Sequence, residues 1–224
     1  MTNAASIPIA WRRNSRARRI SLRLDPRSDT IIITLPPRAT QASGLAWLHQ
    51  NTAWIASALE ARTIPPILAN GETIPLNGTS HTIQHRPDAR RGVWIEDTTI
   101  HISGDAAFLP RRLLDFLRKQ AAASFAPTIT RHAENMGLTP RKLALRDTRS
   151  RWGSCTRDGR IMLNWRLVMA PPTVQDYVII HELAHLRHFN HSPDFWNFVD
   201  RHTPHRHAAE TWLKQNGAAL QRLA

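Results

Sequence analysis

The spacing of hydrophobic and polar positions along the 224-residue chain changes character near residue 105. Before that point two-residue alternation dominates. In RRISLRL, residues 18 to 24, Ile20, Leu22 and Leu24 alternate with polar positions, the pattern of a half-exposed strand. DPRSD then supplies a turn, and TIIITL (30 to 35) is a β-branched run that Pro36-Pro37 ends. Leu45, Leu48, Thr52, Ile55 and Leu59 step by three and four, which predicts one helix with an apolar stripe. Short strands are expected at 72–76, 79–85, 93–96 and 99–103, with turns at Asn77-Gly78 and Asp88 to Gly92.

From Phe108 the period becomes helical. Leu113, Phe116, Leu117 and Gln120 lead into AAASFAPTITRHAENMG, where Pro127 is expected to kink or split the helix and Gly137 to stop it. KLALRD (142 to 147) and RIMLNWRLV (160 to 168) alternate again, and a polar, glycine-containing loop, TRSRWGSCTRDG, lies between them. The change of pattern sets a domain boundary near 105, giving a β-rich N-terminal domain with one helix (1–105) and a second domain (106–224).

Composition narrows the class. No apolar run approaches the length of a bilayer span, and the N-terminal arginines are not followed by an apolar segment, so a secretory signal is not expected. A single cysteine, Cys155, excludes an intrachain disulfide, and a cytoplasmic protein is expected. The formal charge of +13 makes contact with DNA or another polyanion conceivable. No compact basic run with interleaved aromatics accompanies it; the densest cluster is WRRNSRARRISLR, residues 11 to 23.

The chemistry concentrates in VIIHELAHLRHFNHSPDFW, residues 178 to 196. Ala170-Pro171-Pro172 closes the preceding strand. Thr173 and Asp176 form a capping-box pattern for a helix running to about Phe189. His181 and His185, four apart, project from one face and can reach one ion. A hydrolytic zinc needs a third protein ligand and an open position. His191 is the best third ligand, because Ser192-Pro193 starts a new helix and the turn before it can swing His191 back. Glu182, one step around the helix, is expected to be the general base that activates a water for peptide hydrolysis. His188 is open to two readings, a solvent-facing or supporting residue and an alternative ligand. The alternative function is a nucleic-acid-associated protein whose metal is structural.

Around this centre, residues 160 to 166, with Asn164, are expected to line a substrate groove, since an extended substrate can pair with a bordering strand. Arg149, Arg151, Trp152 and Ser154 precede that strand, and an arginine there can steady an oxyanion or a substrate carboxylate. The other reading of that loop is a packed turn. Cys155 reads as a small buried residue, Tyr177 as core, and His202, His205 and His207 as surface or capping residues. Trp47, Trp54, Trp196 and Trp212 sit among aliphatics at helical spacing and read as core.

Three stretches, TRSRWGSCTRDGRIMLNWRLVMAPP, YVIIHELAHLRHFNHSPDFW and AAETWLKQNGAAL, together with RRNSRARRISLRLDPRSDTIIITLPP, resemble the YgjP-like metallopeptidases, relatives of the SprT and Wss-type zinc proteases. The resemblance implies one zinc on His181, His185 and His191, Glu182 as base, and a protein or peptide substrate. It implies an α+β fold in which a small N-terminal β-rich domain precedes a zincin-like minimal metalloprotease core. The Spartan and Wss relatives cut proteins crosslinked to DNA, which would suit the basic charge. His188 stands where metzincins have Gly and no Met-turn follows His191, so the chain is not expected to be a metzincin.

Overall fold

The computed structural model describes residues 7–25, 30–60, 67–148 and 150–223. The expected turn at 26–29 and the proposed substrate contact Arg149 lie outside them. The fold is mixed α/β, and the chain divides into two compact units, Met1–Ile64 with Ala224, and Pro65–Leu223.

In the first unit, strands β1 (Ile9–Arg13), β2 (Ser21–Leu24) and β3 (Ile31–Leu35) form a sheet of order β1-β3-β2. β3 runs parallel to β1 and antiparallel to β2. Its alternation buries Ile31, Ile33 and Leu35, which share a small core with Ile55. The expected single helix is two, α1 (Gln41–Gln50) and α2 (Thr52–Glu60). Thr40 caps the first by accepting from the Ser43 N–H at 3.1 Å. Asn51 leaves helical geometry (φ −113°, ψ 21°) and separates them. Trp47 and Trp54, expected in the core, are 41% and 47% exposed.

The second unit holds the strands read at 72–103. β4 (Thr73–Leu76), β5 (Thr79–Arg86), β6 (Val93–Glu96) and β7 (Thr99–Ser103) form a sheet of order β4-β5-β7-β6. Asn77 (φ 50°) and Gly78 (φ 76°) make the tight β4–β5 turn that Asn-Gly signals. Ile74, Ile83, Ile100 and Ile102 from this sheet belong to the same buried cluster as Leu113, Leu117 and Phe125 of α3 (Leu109–Met136). Residue 105 therefore falls inside one unit. The change of hydrophobic period there marks a switch from sheet to helix around a shared core. The N-terminal unit is shorter than expected and carries two helices.

Pro127 does not split α3, which runs through it for 28 residues. Leu113, Leu117, Ala121, Phe125, Ile129 and Ala133 recur every four residues and are all at most 5% exposed. This buried stripe holds the helix together past the missing N–H. Gly137 ends it in the left-handed region (φ 64°), as expected.

A second sheet has the order β8-β10-β9, from β8 (Lys142–Arg146), β9 (Gly153–Cys155) and β10 (Arg160–Asn164). β10 pairs parallel with β8 and antiparallel with β9. The strand expected to reach 168 ends at Asn164, whose side chain accepts from the Arg166 N–H and caps a 3-10 turn over Trp165–Met169. Arg166 is fully buried. It donates to Asp147 at 2.6 Å and to the Leu223 carbonyl at 3.1 and 2.6 Å, tying the chain's end into the core. Helices α4 (Pro172–Ala184), α5 (Pro193–His202) and α6 (Arg206–Gln221) complete the unit. No helix among the described residues is long and apolar enough to cross a membrane.

Candidate metal centre

The site is built on α4 and the turn after it. α4 starts on Pro171-Pro172 without a side-chain cap, not on the expected Thr173–Asp176 box. Asp176 instead accepts from His132 Nε2 at 2.8 Å and from Arg131 at 3.2 Å. The helix ends at Ala184, five residues before the expected stop, with His185 as its C-cap. His185 keeps helical angles (φ −66°, ψ −16°), so His181 and His185 still share a face. Beyond the turn, Ser192 caps α5 by accepting from the Phe195 N–H, with Pro193 in its first turn. This sharp restart returns His191 to the pair.

The ligand nitrogens of His181, His185 and His191 all lie within 4.8 Å of one another. His181 Nε2 and His191 Nε2 are 3.1 Å apart. Two imidazole nitrogens on one tetrahedral zinc, each at about 2.0–2.1 Å, would stand about 3.3 Å apart. His185 Nδ1 donates to the His188 carbonyl at 3.0 Å, which leaves Nε2 with its lone pair for a metal. That carbonyl, rather than the His188 imidazole, is what His188 brings to the site; its ring packs on Phe198. Burial, then the neighbouring His185 and His191, push His181 down to about 3. Burial also lowers His185. Both are neutral imidazoles at pH 7, the form that binds a metal. The donor set fits a single divalent ion of the zinc type.

Aromatic rings shape the centre. The Phe195 ring lies 5.0, 4.6 and 4.8 Å from the rings of His181, His185 and His191. Trp196 stacks on His191 at 5.4 Å. Arg206 lies 4.8 Å over Trp196 and is held by both carboxylate oxygens of Asp200. The sequence reading missed this wall. Its signal was an aromatic pair placed one helical turn after the third histidine.

A cleft of about 450 Å³ opens over the cluster, bordered by Arg151, Ser154, Cys155 and Phe189. Ser154 borders this cleft. Cys155 is half-buried, packs against the core and borders the cleft; burial and then Glu182 push its thiol up to about 11, so it is a neutral thiol. Trp152 is not at the cleft: it packs against the core and over Gly217 of α6. Asn164 is fully buried, donates to the Thr148 carbonyl at 2.9 Å and is structural. β10 is the central strand, so its backbone is committed on both sides, and the edge strand at the cleft is β9. Tyr177 is buried, as expected, and donates to Glu210 at 2.8 Å.

The geometry corrects one expectation outright. The convergent group is three imidazoles, His181, His185 and His191, and it contains no carboxylate. A His-Glu-x-x-His reaction centre with Glu182 as general base is therefore not the arrangement found, and the peptidase of that type falls with it. Glu182 is buried against β9, so close that any side chain at Gly153 would collide with its carboxyl group. Burial pushes it up to about 8, against an opposing pull from Arg151, so in the metal-free protein it is mostly a neutral acid at pH 7.

The chain is similar to the metallopeptidase zymogen abylysin of Pyrococcus abyssi, a crystal structure, with 24% identity over 43% of this chain and 94% of that one, at a TM-score of 0.37. No curated protein matches it. The family model described as YgjP-like, metallopeptidase domain, matches residues 18–216, a span that includes the whole three-histidine cluster and both sheets of the second unit. The chain belongs to the YgjP-like metallopeptidase family.

Proposed function

We propose that this chain holds one zinc ion on His181, His185 and His191 and acts through it on a protein or peptide substrate lying in the cleft beside β9. The observation that carries the reading is the convergence of three imidazole nitrogens within 4.8 Å at the floor of an open cleft. Zinc on three neutral imidazoles keeps its full charge and supplies a Lewis acid for a carbonyl oxygen. Phe195 and Trp196 hold the imidazoles in register. β9, with one edge unpaired in its sheet, offers backbone groups to which an extended peptide can add as a further strand. Ser154 and Arg151 border that path. In this reading residues 106–224 carry the zincin-like core, and a reducing cytoplasm suits the single free thiol of Cys155.

The test is metal content by elemental analysis together with casein hydrolysis. Wild type is expected to retain about one zinc per chain, to cleave casein, to lose cleavage on chelation and to regain it with zinc. His191→Ala, left with two imidazoles, is expected to lose at least about 100-fold in zinc affinity. Wild type that retains no metal, or that carries zinc and leaves casein and peptide mixtures intact, would sink the reading.

A further inference from the structure

The β8-β10-β9 sheet has two faces. Leu143, Leu145, Ile161 and Leu163 turn toward the core. On the other face the register sets Lys142 beside Arg160 and Ala144 beside Met162, and Met162 in turn beside Ser154 of β9. Arg141, Lys142, Arg146 and Arg160 enclose a hollow of about 450 Å³, with Ala144 small enough to leave it open. No carboxylate lines it. Asp158 answers Arg160 at 2.9 Å, while Arg141, Lys142 and Arg146 make no ion-pair contact among the described residues. The row Ala144–Met162–Ser154 crosses two strand spacings, about 10 Å, and ends on a residue that borders the metal cleft. An extended peptide covers that distance in about three residues.

We propose that this hollow selects substrates: it takes the Asp or Glu side chains of an acidic protein segment whose neighbouring residues occupy the cleft. The inference rests on the reading of the cleft as a peptide site. Three features point to an acidic peptide rather than another polyanion. Three of the four cations are arginines, whose forks pair carboxylates in bidentate fashion. No aromatic ring lines the hollow, so a nucleobase has nothing to stack on. β8 is an edge strand, so its free backbone groups beside the hollow can pair with an extended polypeptide.

The experiment is fluorescence anisotropy of the full-length, zinc-loaded protein with a labelled ten-residue poly-Glu peptide, and with poly-Gln as the neutral control. Poly-Glu is expected to bind at 50 mM salt and poly-Gln not, with binding largely lost near 0.5 M salt. The double variant Lys142→Glu/Arg146→Glu is expected to weaken poly-Glu at least about tenfold, and Arg160→Gln by a smaller factor. Arg12→Glu/Arg23→Glu, which makes the same change in net charge on exposed residues of the first unit, is expected to change it less than about twofold. All these side chains are exposed, and unchanged melting temperatures will show that the variants fold. Equal weakening by the two double variants would reduce the effect to net charge and overturn the proposal. So would absence of poly-Glu binding, or tighter binding of a ten-nucleotide oligo-dT through the same residues. Binding does not require turnover. If poly-Glu binds through Lys142 and Arg146 while no peptide is cleaved, the hollow stands and the reading of the cleft falls.

Discussion

Two pairs of aromatic residues look alike in the sequence and end in opposite surroundings. Phe195 and Trp196 sit on α5, where Phe195 is fully buried and its ring touches all three ligand imidazoles. Trp47 and Trp54, on α1 and α2, are 41% and 47% exposed. All four are spaced among aliphatics as core residues are. What differs is the core available to receive them. In the second unit two sheets and four helices pack into one large cluster. In the first, three strands and two helices bury only Ile31, Ile33, Leu35 and Ile55 among the described residues, and four aliphatic side chains cannot enclose two indoles. Helical spacing tells which face a residue is on; only the amount of neighbouring structure tells whether that face is covered.

The largest effect expected from this contrast is at Phe195. Phe195→Ala removes a fully buried ring and opens a cavity under the metal centre. The expected loss of stability is about 3–5 kcal/mol, measured by urea unfolding, with a parallel weakening of zinc in chelator competition because the imidazoles lose their common support. Phe195→Leu should recover most of the stability and less of the metal affinity, since a branched aliphatic fills volume without presenting a flat ring to His185. If Phe195→Ala keeps wild-type zinc affinity in a folded protein, the aromatic wall does not organise the site.

The same distinction between pattern and surroundings explains how much was legible. The pair His181 and His185 could be read because helical geometry alone sets it. His191 could be read because Ser192-Pro193 fixes where the next helix starts, and a turn there leaves little freedom. β3 could be read because a β-branched run closed by two prolines has few alternatives. Pro127 does not split α3 because six buried neighbours at four-residue spacing, which the local rule against interior proline ignores, hold the helix together. Asn164 was misread as a substrate contact because the alternation of 160–168 continues past it, whereas its amide caps the 3-10 turn and hides its side chain. The raised Glu182 carboxyl belongs to the same class of misreading. A motif states which residues are adjacent along the chain, not how deeply each is buried.

Burial at the centre has an effect of intermediate size on the metal-free protein. In the folded chain His181 holds no proton until about pH 3, whereas the unfolded chain takes one below about 6.5, so stability falls as pH drops across that window. Glu182 acts in the opposite sense. Unfolded it ionises above about 4.5 and folded only near 8, so its contribution is complete below 4.5 and is lost as pH rises to 8. The slopes of these two groups oppose each other between 4.5 and 6.5 and give a near-plateau there, tilted only by the lowered His185, with each group contributing at most about 1.4 kcal/mol per pH unit to the flanks. Thermal unfolding in excess chelator from pH 3 to 8.5 should show that plateau. Stability that keeps rising to pH 8 would mean that Glu182 is ionised in the folded, metal-free protein.

The smallest effect is expected in the first unit and is the counterpart of the Phe195 experiment. Trp47→Ala and Trp54→Ala remove large side chains that are already nearly half in water. Each should change the free energy of unfolding by about 1–2 kcal/mol, because only the covered half of the ring loses burial. Ile33→Ala on the adjacent strand, fully buried, should cost about 2–5 kcal/mol by the same assay. Were the tryptophan variants as damaging as Ile33→Ala, the indoles would be part of the first unit's core after all. The contrast with Phe195 and Trp196 would then rest on what surrounds the metal rather than on how much structure each unit has.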